Sequence, residues 1–156
     1  MVEFAMKEYN AVPEIVVNCA GIIRDAPLLD MTEQQFDEVV AVNLKGVYLV
    51  TQAFAKLAIK HKTQQSVINI ASILGKVAAS AWARDGIRVN AVLPGYITTP
   101  LTAAIEDKLL KAACEKIPMG RMGEPKEIAD ACVFLASNWS SYVTGSAMEV
   151  TGGFGM

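Results

Sequence analysis

Asn18, Asn43, Ser72, Thr98 and Thr99 are the residues of this 156-residue sequence whose type and position suit chemistry. Asn18 ends the apolar run Glu14-Ile-Val-Val-Asn18 and leads into Cys19-Ala20-Gly21. Asn43 falls on an apolar stripe between Val40 and Leu44, where an unbonded amide costs free energy. Such an amide either pairs with nearby backbone or holds a water or a neighbouring active-site group. Ser72 follows Ser66-Val-Ile-Asn-Ile70, so its hydroxyl can point into a crevice beyond a strand end; a helix cap or turn is its plainer use. Pro94-Gly95 closes a third apolar run. Thr98 and Thr99 beyond it either face a ligand or cap the next helix.

Other chemistries are closed off by what the chain lacks. Its one histidine, His61, lies between Lys60 and Lys62, which argues against a histidine-based nucleophile triad and against a multi-histidine metal site. Cys19, Cys114 and Cys132 are odd in number and far apart, so they read as small buried thiols in a reducing compartment. Fourteen basic residues against 16 acidic ones, with no run of like charge, give no nucleic-acid footprint and no polybasic membrane patch. No apolar stretch approaches the ~18 residues of a membrane span, and the first nine residues do not read as a signal peptide. The sequence points to a soluble intracellular domain. Hydrophobic residues, at 53%, suffice for a buried core, and the length suits one domain over residues 1–156.

The elements that must position these residues follow from pattern. Ile15–Asn18, Ser66–Ile70 and Ile87–Leu93 read as strands buried on both faces, and Ala147–Val150 as a last strand before Gly152-Gly153. Thr32 and Gln35 form a capping box, and apolar residues from Phe36 to Ala58 then recur at helical spacing as one long amphipathic helix tolerating Gly46. A helix is expected from about Leu101 to Lys116, and another opened by Pro125 through Ala136. Strands alternating with helices imply an α/β fold with a parallel sheet. Ligands in such sheets sit beyond the carboxyl ends of strands, where Asn18–Gly21, Ala71–Ser72 and Pro94–Thr99 fall.

The order and wording of these segments resemble the short-chain dehydrogenase/reductase family. Asn18-Cys-Ala-Gly21, Val42-Asn43-Leu44, Asn69-Ile-Ala-Ser72 and Pro94-Gly-Tyr-Ile-Thr-Thr99 carry the resemblance. So do Ile117-Pro-Met-Gly-Arg121, Tyr142-Val-Thr-Gly145 and Val150-Thr-Gly-Gly153. The wording is nearest the 3-oxoacyl-[acyl-carrier-protein] reductase branch, and Ile73–Val77 resembles 17-beta-hydroxysteroid dehydrogenases. The resemblance implies a Rossmann-like parallel sheet with flanking helices that binds NAD(H) or NADP(H). It further implies that Ser72 hydrogen-bonds the substrate oxygen and that Asn43 holds a relay water. Asn18, Ala20 and Gly21 would pass the adenosine-side ribose, while Ile97, Thr98 and Thr99 would meet the nicotinamide carboxamide. The implied substrate is a 3-oxoacyl thioester or a steroid hydroxyl or ketone. No metal, nucleic-acid or membrane partner is implied. The family pattern is a homo- or heterotetramer, and the related reductase is mitochondrial, with the cytoplasm as the alternative.

Departures from the family are equally specific. The chain's first glycine is Gly21, so the glycine-rich pyrophosphate turn is missing, and with it the family's first three strands. Thirteen residues after Ser72, where the family has its proton-donating Tyr, stands Asp85; four further on, in place of Lys, stands Val89. No Tyr-x-x-x-Lys occurs anywhere. About 20 residues, a loop and most of a helix of ~1.5 Å rise per residue, are expected to be absent between Lys76 and Arg84. That helix is much of the family's subunit interface, so its loss weakens pairing. Ile15–Val17 is expected as an exposed sheet edge. Three readings stand: an impaired oxidoreductase, an inactive fragment acting by pairing with intact subunits, and an incomplete gene model of an ordinary reductase.

Overall fold

Strand-forming residues at Ile15–Asn18 (β1), Gln65–Ile70 (β2), Ile87–Pro94 (β3) and Ala147–Val150 (β4) build one four-stranded sheet in the order β1-β2-β3-β4. All three pairings are parallel, with Val17 beside Ile68, Ile68 beside Asn90, and Val92 beside Met148. The computed structural model describes residues 1–24, 26, 29–70, 82–100, 102–105 and 107–155. Ser72 and the Ile73–Val77 segment lie outside the described residues.

Helices cover both faces. Val2–Tyr9 (α1) and Val47–His61 (α3) lie on one side, where Phe54, Ala55 and Ala58 pack on Val16, Val67, Ile87 and Val89. Ala55 and Ala58 are small enough to let the helix approach the strands closely. On the other side, Pro125–Ala136 (α5) places fully buried Leu135 against Ile68 and Val92. The Leu135 carbonyl, which the end of α5 cannot satisfy itself, accepts from Ser66 Oγ at 2.8 Å, Ser140 Oγ at 2.9 Å and Arg88 Nη2 at 2.9 Å. Those bonds lock α5 to β2 and β3.

Four expectations need correction. The predicted long helix is Glu33–Val40 (α2), then six residues of wider π-helix, Ala41–Gly46, then α3. Its start is as read, with Gln35 N–H donating to Thr32 Oγ1 at 3.2 Å and Gln35 Oε1 accepting from the Thr32 amide at 2.9 Å. The helix placed at 101–116 is shorter: a 3₁₀ turn, Thr102–Ala104, followed by Asp107–Glu115 (α4). β2 is buried on both faces, as is most of β3, but β1 is buried on one face alone, with Ile15 53% and Val17 47% exposed. The reason is position: β1 is an edge strand, and the described helix on that side, α5, sits over the inner strands. The cysteines also differ, since Cys19 is exposed and Cys114 and Cys132 are half-buried.

Among the described residues no helix is long and apolar enough to cross a membrane.

The two faces of β1 separate in a paired test. Val16→Thr puts a hydroxyl into the core beside Phe54 and is expected to cost about 1–3 kcal/mol in urea unfolding. Val17→Thr, on the open face, should stay within about 0.5 kcal/mol. Equal losses would show that β1 is covered on both sides.

Candidate functional site at the carboxyl ends of the strands

Because every strand runs the same way, the loops after β1 and β3 emerge at one end of the sheet. Asn18 closes β1 with its side chain turned inward and nearly buried. Its Nδ2 donates to Asn69 Oδ1 at 2.7 Å and to Thr51 Oγ1 at 3.0 Å, tying β1 to β2 and to α3. Beyond it Cys19, Ala20 and Gly21 are exposed. The chain is then caught by Asn43, whose Oδ1 accepts from Ile22 N–H at 2.9 Å and whose Nδ2 donates to Ile22 O at 2.9 Å. Asn43 thus pairs with Ile22 as a neighbouring strand would. It stands within the π segment, and π-turns recur at functional sites because they re-aim a side chain out of the helical stripe. Of the two uses open to it, the structure places its amide on nearby backbone.

The second loop leaves β3 at Pro94. Gly95 N–H donates to Val150 O at 3.0 Å, and a Cβ on Gly95 would stand 2.8 Å from Thr151 Cα, so only glycine fits there. Ile97 is buried and bridges Gly123, which accepts from Thr98 N–H at 2.9 Å and donates to Tyr96 O at 2.9 Å. Thr98 is exposed at the loop tip. Thr102 Oγ1 donates to Ile97 O at 2.6 Å and accepts from Thr99 N–H at 2.9 Å, which fixes the turn into the following helix. Thr99 Oγ1 in turn accepts from the Thr102 amide at 3.4 Å, as a helix cap does. Gly123 is held in turn by the start of α5. Glu127 accepts from Arg121 Nη1 and Nη2 at 2.8 and 2.7 Å and from the Glu124 amide at 2.8 Å. This holds the Glu127 carboxyl down at about 2, the Arg121 guanidinium being the largest cause and the Glu124 amide the next.

The structure brings together Asn18, Ala20, Gly21 and Asn43 at one strand end and Ile97, Thr98 and Thr99 at another. Ser72, after β2 between them in strand order, lies outside the described residues. Thr51, Asn69, Thr102 and Gly123 went unassigned from sequence, although they hold the site together. Thr51 carried a signal: it is a polar residue on the stripe Val47, Thr51, Phe54, Ala55, Ala58, whose members are all buried. Among the described residues no cluster of three His, Cys, Asp or Glu side chains could hold a metal.

Two measurements test the supports. Asn43→Ala should speed hydrogen exchange of the Ile22 amide about 5–30-fold, the loss expected for one or two kcal/mol; an unchanged rate would mean the clamp is not formed. Glu127 should titrate by NMR near 2 and rise toward the ordinary glutamate range in Arg121→Ala, the Glu124 amide keeping part of the depression. Because the folded value is depressed, the pair stabilises the folded chain above the ordinary range and loses that contribution as pH falls toward 2. An ordinary midpoint in the unaltered chain would exclude the pair.

Comparison with known proteins accords with this geometry. Residues 1–83 match the family description "short chain dehydrogenase", and residues 73–155 match "Enoyl-(Acyl carrier protein) reductase". The chain is 44% identical to the (3R)-3-hydroxyacyl-CoA dehydrogenase of Homo sapiens over 169 residues, which covers 95% of this chain and 65% of that protein. It is 40% identical to the 3-oxoacyl-[acyl-carrier-protein] reductase FabG of Thermotoga maritima, covering 98% of this chain and 70% of that one. The chain therefore spans 65% of the length of the hydroxyacyl-CoA dehydrogenases it resembles. A solved gluconate 5-dehydrogenase from Burkholderia cenocepacia, in complex with NADP and tartrate, superposes with a TM-score of 0.92 at 31% identity, over 98% of this chain and 68% of that one. A 3-oxoacyl-[acyl-carrier protein] reductase from Brucella melitensis superposes at 0.89 with 28% identity, over 98% of this chain and 67% of that one.

Proposed function

The chain belongs to the short-chain dehydrogenase/reductase family, and from that membership we propose that it binds a nicotinamide dinucleotide across the carboxyl ends of its strands, in the lineage of enzymes that act on 3-oxoacyl and 3-hydroxyacyl thioesters. One observation carries the reading. The turn after β1 and the loop after β3 are each held by hydrogen bonds, from the Asn18 and Asn43 side chains on one and from the Thr102 hydroxyl and the Gly123 backbone on the other. Rigid, exposed loop tips on a buried scaffold are how binding groups are positioned.

The residues fit the two ends of such a ligand. Ala20 and Gly21 are exposed and carry a methyl group and a hydrogen, so a ribose can lie against their backbone. Thr98, exposed beyond buried Ile97, offers a hydroxyl and backbone groups to a carboxamide. When bound, the dinucleotide supplies or accepts hydride. Ser72, by its place after β2, would orient the substrate oxygen. Asn18 and Asn43 contribute by holding the ribose-side turn still, which is orientation rather than proton transfer.

Proton transfer is where the chain departs. Asp85 and Val89 stand where the family pattern places Tyr and Lys, and no Tyr-x-x-x-Lys occurs in the sequence. The matched span of 169 residues exceeds the 156 of the chain, which supports an internal segment being absent here. Loss of a general acid lowers rate about 10²–10⁴-fold. We therefore infer binding with impaired turnover, the thioester favoured over a steroid by the names of the relatives. A second reading, pairing with intact subunits, rests on the open edge and half-exposed outer face of β1.

Titration with NADH and with NADPH, by fluorescence and calorimetry, tests the first reading. Saturable binding in the micromolar range is expected, with a 3-oxoacyl thioester turned over at least ~100-fold more slowly than by an intact relative. A folded chain that binds neither nucleotide overturns it, and capture of an intact reductase subunit by that same chain would then favour pairing.

A further inference from the structure

We propose that Cys19 and Cys132 form a redox-responsive thiol pair that, when oxidised, pins the proposed ribose-side turn to α5. The sheet register places them. Val17 pairs with Ile68 and Asn18 with Asn69, and Cys19 is the first residue after β1, so extending the register by one residue points it toward Ile70. Side chains alternate along a strand. Asn18 points toward α3, where it bonds Thr51, so Cys19 continues the opposite face with Ile15 and Val17. That is the face of α5, where Ile70 and Cys132 both pack on the Ile68–Val92–Leu135 cluster. The two thiols thus belong to one side of the sheet, Cys19 at the end of β1 and Cys132 on α5. Burial, and after it the charge of Cys19, pushes the Cys132 thiol up.

Their unequal surroundings assign the steps. Cys19 is exposed and meets the oxidant first. With oxidised glutathione, the Cys19 thiolate attacks one sulfur, the glutathione disulfide breaks, and one glutathione thiolate leaves. Half-buried Cys132, a poorer attacker while protonated, then gives its proton to solvent and displaces the second glutathione from Cys19. The two protein thiols lose two electrons and two protons, and the oxidant becomes two glutathione thiols. A protein disulfide needs its Cα atoms about 5.5–6 Å apart, so closing it holds the turn against the helix. The regulatory consequence rests on the nucleotide reading given above, whereas the bond itself does not.

The test uses the unaltered chain treated with oxidised glutathione, alkylated and digested without reductant. The expected product is a monomer carrying a Cys19–Cys132 cross-linked peptide, with Cys114 alkylated. Cys132→Ser should instead accumulate glutathione on Cys19, and Cys114→Ser should behave as the unaltered chain. Stable glutathionylation of Cys19 in the unaltered chain, or a Cys19–Cys19 dimer with Cys132 alkylated, overturns the proposal. Oxidised chain should bind NADH at least tenfold more weakly and recover on reduction. A chain that binds no nucleotide in either state, yet forms the cross-link, retains the thiol pair and refutes the nucleotide reading alone.

Discussion

The carboxamide of Asn18 is the constraint on which the strand-end geometry depends. Among the described residues β1 has one neighbour, β2, and a short edge strand with a single partner would fray at its carboxyl end. Asn18 replaces the missing order with two side-chain bonds, one into β2 through Asn69 and one into α3 through Thr51. All three residues are buried, so each lost partner would leave a desolvated polar group worth about 1–3 kcal/mol. The network therefore behaves as a unit. It is what lets the next residues, Cys19 to Gly21, be exposed and still have a defined path.

That path is completed from the helical side. A regular α-helix from Glu33 to His61 would keep a strict 3.6-residue stripe. The six-residue π segment interrupts it at the place where Asn43 reaches across to Ile22. The amide then answers both backbone groups of one residue, so a half-buried polar side chain ends up bonded. The helix is deformed where the turn needs support, and the deformation and the support share a residue.

Much of this was legible, and the exceptions have physical causes. The continuous apolar runs of β2 and β3 announce burial because a neighbour lies on each side of them. The run of β1 reads the same way, since its sequence reports hydrophobicity and not whether anything covers it. The capping box at Thr32 and Pro125 at the start of α5 were readable because they act within one helical turn. The π segment was not, because side-chain periodicity does not record which carbonyl an amide chooses. Long-range partners such as Gly123 beneath Ile97 escape a local reading for the same reason: they meet across 26 residues of chain.

The residues present and those absent divide along a chemical line. Asn18, Asn43, Thr102 and Gly123 fix backbone, and they act through geometry that persists at any protonation state. Transfer of a proton needs a titratable group at the reacting atom, with its pKa drawn toward working pH by a neighbour. Among the described residues, the titratable groups moved furthest from their ordinary ranges include Glu127, and it moved the wrong way for that task. Its partner Arg121 keeps it charged down to about 2, a brace for α5 rather than an acid. Tyr96, nearest in sequence to the β3 loop, stacks edge-on against Phe154 at 5.2 Å and has no lysine four residues on. Orientation of a bound ligand and proton delivery are separable properties of this fold, and the described residues favour the first.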